Sequence, residues 1–339
     1  MPYRLIIPGL LWPASRTPTP AGGLALPALE TILGHARPAA RPAQSLDRCL
    51  ADLFGLATDA LPHAALRRAG EPVAPLHDIG TCLCADPVNL HFAREHLLLA
   101  DASGLEIRED EAARIIEGLN ETFSDIGRFE APAADRWYLW STKRPEANFA
   151  ALSDVAGRPV GPFMPEGIQA RDWHRLSNEI QVWLHGHPVN AAREASGFRP
   201  INSLWFWGAG DPPSALQRPA QLIQANGTLA RGLVRLAGLV CTDSTRLDIK
   251  TGSSALAILE QLQQSAQYLN LDDWRNGLIA LERDWFAPAL AALKTGSLDE
   301  LRITAPCERA TLDFTLKAGS LWRFWKHPLP LDAFHKNIA

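Results

Sequence analysis

Residues 178–210 read NEIQVWLHGHPVNAAREASGFRPINSLWFWGAG and carry the densest local pattern in the chain. Trp173, Leu176, Ile180, Trp183 and His187 recur every three or four positions, which predicts one apolar face of a helix. Pro188 disfavours helical backbone at His187, so that helix should stop there. A second short helix is expected over 190–196, closed by Gly197 beyond its C-terminus. Ile201 and the run Leu204, Trp205, Phe206, Trp207 then lead into Gly208, Gly210, Pro212 and Pro213. Such a run predicts a strand buried on both faces. Its glycine-rich tip should open into a loop where backbone approaches a ligand, as at strand ends of open α/β sheets.

Composition narrows the classes. A hydrophobic share of 47% and a charged share of 21% exclude wholesale disorder, and 339 residues suffice for two compact units. A formal net charge of −4 without a basic cluster argues against nucleic acid as a partner. The opening MPYRLIIPGLLWP is interrupted by Pro8, Gly9 and Pro13, so it is expected to be a core strand and not a signal peptide. No apolar run approaches 18 residues, hence no membrane partner is expected. Five cysteines, an odd and sparse set, point to a reduced cytoplasmic setting. Cys82 and Cys84 share a strand face, either as small core residues or as a metal or redox pair; no second pair completes a zinc set.

Elsewhere the pattern alternates. Strands are expected at 4–10, 81–85, 96–100, 105–107, 136–141, 239–241 and 301–304, and helices at 26–33, 46–54, 109–123, 228–236, 253–269 and from Asp272 through Trp285. Thr311–Lys317 and Ser320–Trp325 resemble the arms of a terminal hairpin. A parallel sheet with helices on both faces summarises the layout, with a smaller α/β subdomain inserted at 75–172 between core segments 1–74 and 173–339.

The residues His187, Pro188, Val189, Asn190, Arg193, Gly197, Asn202, Trp205, Trp207, Gly208 and Gly210 together resemble a passage of the archaeal-type, cofactor-independent phosphoglycerate mutases. The stretch CADPVNLHFAREHLLLADASGLEIREDEAARIIEGLNETF is similar to that family's insert domain, and ALPALETILGHARP to its opening helix. The LIIPGLLWP start and the overall layout also resemble RpfE-type bacterial regulatory proteins. The resemblance implies an alkaline-phosphatase-like α/β core sheet flanked by helices. It further implies a two-metal phosphoryl-transfer site, whose cations need carboxylates and imidazoles.

The ligand positions depart from that pattern. Where the family's first metal-binding Asp follows the opening strand, this chain has Pro8 and Gly9. Ala305, Pro306 and Cys307 stand where its late Asp-His pair would be, and Asn270 to Trp274 replace its His- and Asp-rich motif. An insert arginine of the family corresponds to Leu83. Ser45 lies near the nucleophile position and is equally a helix N-cap. His187, Asn190, Arg193, Asn202 and Trp207 match and could hold a small anion. Arg193 could instead pair with Glu179 or Glu194, His187 could simply end a helix, and Trp207 could be core. His185 and His187, two apart at a helix end, face away from each other and make a poor metal pair.

The expectation is therefore a catalytically inactive, metal- and cofactor-free relative of the mutases, regulatory in role, that keeps the old cleft between core and insert for a small anionic ligand or a protein partner. The competing expectation is a divergent metal-dependent mutase or phosphatase using Asp243, Asp248, Asp272, Asp273 and Asp313, which would have to converge. A third is an obligate member of a complex, with the eleven tryptophans partly feeding an interface.

Overall fold

The computed structural model describes residues 2–13, 17, 19–56, 61–73, 80–93, 95–249, 253–307 and 309–334. Two compact units emerge, Met1–Ala57 with Ala215–Ala339, and Thr58–Ser214. The boundaries expected at 74/75 and 172/173 shift accordingly, the first of them falling among residues outside the description. Residues 173–214 belong to the smaller unit because the strand Ser203–Trp207 pairs there with Thr81–Ala93.

In the larger unit, Pro2–Ile6 pairs in parallel with Ala255–Ile258 on one side and Glu300–Ala305 on the other. Leu222–Gln224 and then Cys241–Thr242 continue the parallel array beyond Ala255–Ile258. Thr311–Lys317 and Arg37–Arg41 add two antiparallel strands at the other edge, giving a seven-stranded sheet among the described residues. Leu5, Ile6, Ala257, Ile258 and Ile303 are fully buried, as expected of central strands covered on both faces. Helices Pro27–His35, Leu271–Leu281 and Ala287–Thr295 pack Leu29, Ile32, Trp274, Leu278 and Leu293 into that core. A five-residue π-helical turn, Glu282–Phe286, joins the last two. It places the buried Glu282 carboxylate at 2.7 Å and 3.0 Å from the backbone N–H groups of Ala28 and Leu29. Leu26 offers no side-chain cap to that helix, so a carboxylate from a distant turn satisfies its first donors.

Two expectations are corrected here. The helix foreseen over 253–269 is the strand Ala255–Ile258 followed by the short helix Gln263–Gln267. Four consecutive apolar residues carry no period, and the sheet claims them because both faces are covered. The terminal hairpin is absent: Thr311–Lys317 pairs with Glu300–Ala305 and Arg37–Arg41, while Ala318–Trp322 is a 3-10 turn.

The smaller unit is built on the long strand Thr81–Ala93. Its first half lies between Arg136–Ser141 and Ser203–Trp207, its second half pairs with His96–Ala100, and Gly127–Ala133 completes the array. Every pairing is antiparallel. Helices Glu109–Thr122, Ala170–His185 and Pro188–Ala195 contribute Ile115, Leu119, Trp173, Ile180 and Val189 to the core on one face. Leu105–Ile107, expected as a strand, instead follows a 3-10 turn into the helix at Glu109.

Candidate functional site

The family-like passage folds as its spacing suggests, yet its side chains turn inward. Arg193 is only 1% exposed. Its Nη1 donates to Glu111 Oε2 at 2.6 Å, its Nε to the Arg199 carbonyl at 2.9 Å, and its Nη2 to the Leu105 carbonyl. Each nitrogen of the fork is thus committed within the chain, and the partner is Glu111, not Glu179 or Glu194. Glu111 also accepts from the Arg108 backbone N–H at 2.9 Å, so one buried carboxylate caps the helix Glu109–Thr122 and clamps it to Pro188–Ala195.

Asn190 donates from Nδ2 to the carbonyls of Leu184 and Ile201 at 2.8 Å each, and its Oδ1 accepts from Ile201 N–H at 2.8 Å. Its amide stitches the end of one helix to the entry of the strand. Asn202 exchanges hydrogen bonds with both backbone groups of Leu90, at 2.7 Å and 2.8 Å, extending the ladder beyond the last strand pair. His187 caps Pro188–Ala195 through Nδ1, which accepts from Val189 N–H at 3.3 Å, and its ring lies 4.7 Å from that of Trp183. Burial and the nearby Arg114 push its pKa down, favouring the neutral ring that an accepting Nδ1 requires.

Trp207 Nε1 donates to Asp86 Oδ2 at 2.8 Å, and Asp86 is gripped at both oxygens by Arg67, at 2.8 Å and 2.6 Å. Around this pair lie Arg68 with Glu130 at 2.6 Å and Arg136 with Glu71 at 2.8 Å, joined by the Tyr138 hydroxyl, which donates to Glu71 and accepts from Arg67. Three guanidinium groups face three carboxylates, a charge-balanced interior with no net call for an anion. Cys82, beside it, is pushed up to about 12 by burial and then by Glu130, so its thiol stays protonated and behaves as core.

The strand tip expected to meet a ligand meets the chain itself. At Gly208, with φ +68°, a Cβ would come within 2.7 Å of His63, and at Gly210 within 2.7 Å of Pro62. The Gly208 carbonyl accepts from Ala64 N–H at 2.9 Å. The glycines therefore admit the helix His63–Gly70. Because Ser203–Trp207 is antiparallel to its neighbour, its tip is also not the carboxyl rim of a parallel sheet. A cavity of about 160 Å³ lies on this unit between Phe149, Phe163, Leu204 and Trp205, with Ser177 and Gln181 at its margin. No charged side chain lines it, so it offers an anion no ionic partner.

The parallel rim belongs to the larger unit. After Pro2–Ile6 the chain runs Ile7, Pro8, Gly9; at Gly9, φ +76°, a Cβ would lie 2.6 Å from the Leu262 carbonyl oxygen. No liganding side chain fits at that position. After Ala255–Ile258 comes Glu260, which accepts from Gly227 N–H at 2.9 Å. Burial, opposed by that hydrogen bond and reinforced by Asp47, pushes its pKa up to about 7. Glu260 is the rim residue that sequence reading missed, since a lone Glu in an apparent helix gives no signal. Asn226 Oδ1 accepts from Ser244 N–H at 3.1 Å, and Asp243 pairs with Arg231.

The aspartates proposed as alternative ligands are dispersed among other partners. Asp313 accepts from Arg41 and from Thr304, each at 2.6 Å; Asp273 serves the Asn270 cap; the backbone N–H of Asp248 donates to Gln224 Oε1 at 3.3 Å; Asp272 is exposed in the first turn of Leu271–Leu281. Among the described residues, no three His, Cys, Asp or Glu side chains gather closely enough to hold a metal ion. The two divalent cations that the resemblance implies thus find no matching donor set there. Ser45 caps Leu46–Leu53, its oxygen accepting from Arg48 N–H at 3.2 Å.

No family profile matches the chain. A 2,3-bisphosphoglycerate-independent phosphoglycerate mutase of Methanosarcina mazei is 30% identical over 148 residues, 41% of this chain and 37% of that protein. Another, from Methanothermobacter thermautotrophicus, is 31% identical over 129 residues, 37% and 32% of the two chains. The matched segments therefore span only about a third of those relatives' length. Among solved structures, the PH0037 protein of Pyrococcus horikoshii superposes with a TM-score of 0.54 at 13% identity, over 93% of this chain and 87% of its own. A cofactor-independent phosphoglycerate mutase of Thermoplasma acidophilum gives 0.45 at 16%, over 94% and 90%. The chain is a mixed α/β protein with a large helix-flanked sheet, distantly similar in sequence to the phosphoglycerate mutases.

Proposed function

We propose that this protein is a catalytically inactive, phosphoglycerate-mutase-like protein with a regulatory or binding role, of the kind the RpfE-type resemblance implies. The observation that carries this reading is the carboxyl rim of the parallel sheet. Two-metal phosphoryl transfer needs several hard anionic ligands within a few ångströms of each ion. At the opening strand the rim presents Pro8 and a Gly9 that has no room for a side chain, and Pro306 follows the strand Glu300–Ala305. Of the acids near the rim, Glu260 accepts from the Gly227 N–H and Asp243 pairs with Arg231.

A second reading, a divergent phosphoryl-transfer enzyme, has one observation in its favour. Glu260, with its pKa pushed up to about 7 at the rim, has the proton affinity of a general acid or base. A phosphoglycerate mutase and phosphatase assay with the purified protein in manganese separates the two. Background rates with wild type and with Glu260→Gln support the inactive reading. Turnover that Glu260→Gln abolishes establishes the enzyme.

A further inference from the structure

The most exposed aromatic side chains in the larger unit stand together near the end of its described chain. Trp322 is 86% exposed, Phe324 87% and Trp325 63%, within the sequence LWRFWKHPLP. Large rings are normally covered, and an apolar patch of this kind marks a surface that meets something other than water. The rings stand on fixed backbone. Lys326 Nζ donates to the His35 and Ala36 carbonyls at 3.3 Å and 3.4 Å, satisfying the end of the helix Pro27–His35, and Leu329 N–H donates to the Glu30 carbonyl at 3.0 Å. Phe324 and Trp325 lie edge to face with centroids 5.2 Å apart.

Charge separates this segment from the rest. Residues 314–331 include Lys317, Arg323, Lys326 and His327 and no Asp or Glu. The remaining 30 Lys and Arg face all 37 Asp and Glu, so the segment carries +3 on a body of −7. The nearest acids in sequence border the segment and are engaged elsewhere, Asp313 accepting from Arg41 and Thr304 and Asp332 from the Ala21 N–H; Lys317 pairs in register with Glu300, whereas Arg323 is exposed beside the rings.

We infer that this segment docks the protein on a lipid bilayer bearing anionic headgroups, a peripheral contact that reverses the expectation of no membrane partner, which rested only on the lack of a spanning helix. Trp and Phe settle at the depth of the headgroups, and basic side chains among them meet the phosphates. Size speaks against a second copy of the chain. Three rings offer about 150–250 Å² each when fully covered, short of the roughly 800 Å² per partner of a stable interface. The inference stands independently of the catalytic reading.

Cosedimentation of the intact protein with vesicles of phosphatidylcholine, with and without phosphatidylserine, tests it. Binding is expected with phosphatidylserine, weakening as salt rises. The surface variant W322S/F324S/W325S, verified as folded by an unchanged urea midpoint, should bind at least about tenfold more weakly, and Arg323→Gln roughly fivefold. Absence of vesicle binding, or equal binding by the triple variant, overturns the proposal. So does a wild-type dimer in sedimentation equilibrium that the triple variant dissociates while vesicles are ignored, which would assign the segment to a second copy.

Discussion

The smaller unit and the carboxyl rim of the larger one treat polar residues in opposite ways. Inside the smaller unit, Arg193 with Glu111, Arg67 with Asp86, Arg68 with Glu130 and Arg136 with Glu71 are paired, with the carboxylate of each pair almost wholly buried. At the rim, where a two-metal enzyme would concentrate its acids, a glycine packed against a carbonyl and prolines occupy strand ends. Buried ion pairs are costly to desolvate and costlier to break. A motif made of such pairs can persist for the sake of the fold alone, whereas metal ligands at an exposed rim have no structural task once catalysis is gone. A sequence motif shared with an enzyme therefore reports scaffold in one unit and says nothing of chemistry in the other.

The largest expected effect breaks the comparison if it fails. Arg193→Ala or Glu111→Ala should each cost about 3–5 kcal/mol in urea unfolding, because the surviving partner is left charged and buried. A stable Arg193→Ala protein that had lost only an anion-binding signal would return Arg193 to a binding role. Next comes Glu260, whose raised pKa means that the folded state holds a proton the unfolded state releases. Its contribution is complete below about pH 4.5 and is lost as pH rises through about 7, so stability should fall across that window. The drop should be about 2–3 kcal/mol, allowing for partial exposure, and Glu260→Gln should flatten it.

Asn202→Ala should cost about 1–2 kcal/mol by leaving both backbone groups of Leu90 without their partner. Hydrogen exchange should quicken at Leu90 specifically. The smallest change is Ser45→Ala, about 1 kcal/mol for a lost N-cap, with no effect on any phosphoryl-transfer signal. A folded Ser45→Ala protein lacking an activity that wild type possesses would make Ser45 a nucleophile.

Much of the fold could be read from periodicity. Helix Ala170–His185, the capped Pro188–Ala195 and the strand Ser203–Trp207 lie where their apolar spacing, Pro188 and Gly197 place them. The central strand Ala255–Ile258 could not, since ALAI suits a buried strand and a buried helix alike. Leu222–Gln224 was invisible for the same reason, being three residues whose pairing is wholly long-range. At the site, residue types at 187, 190, 193, 202 and 207 were legible but their direction was not. Arg193 finds Glu111 82 positions away and Trp207 finds Asp86 121 away, and no local pattern encodes such partners.

The central claim is that the sheet's rim has no grip on divalent cations. Elemental analysis of the protein after equilibration with manganese and zinc and removal of free ions tests it most directly. The account predicts well under one ion per chain. Two retained ions per chain, lost on substituting Glu260 or Asp243, would contradict it.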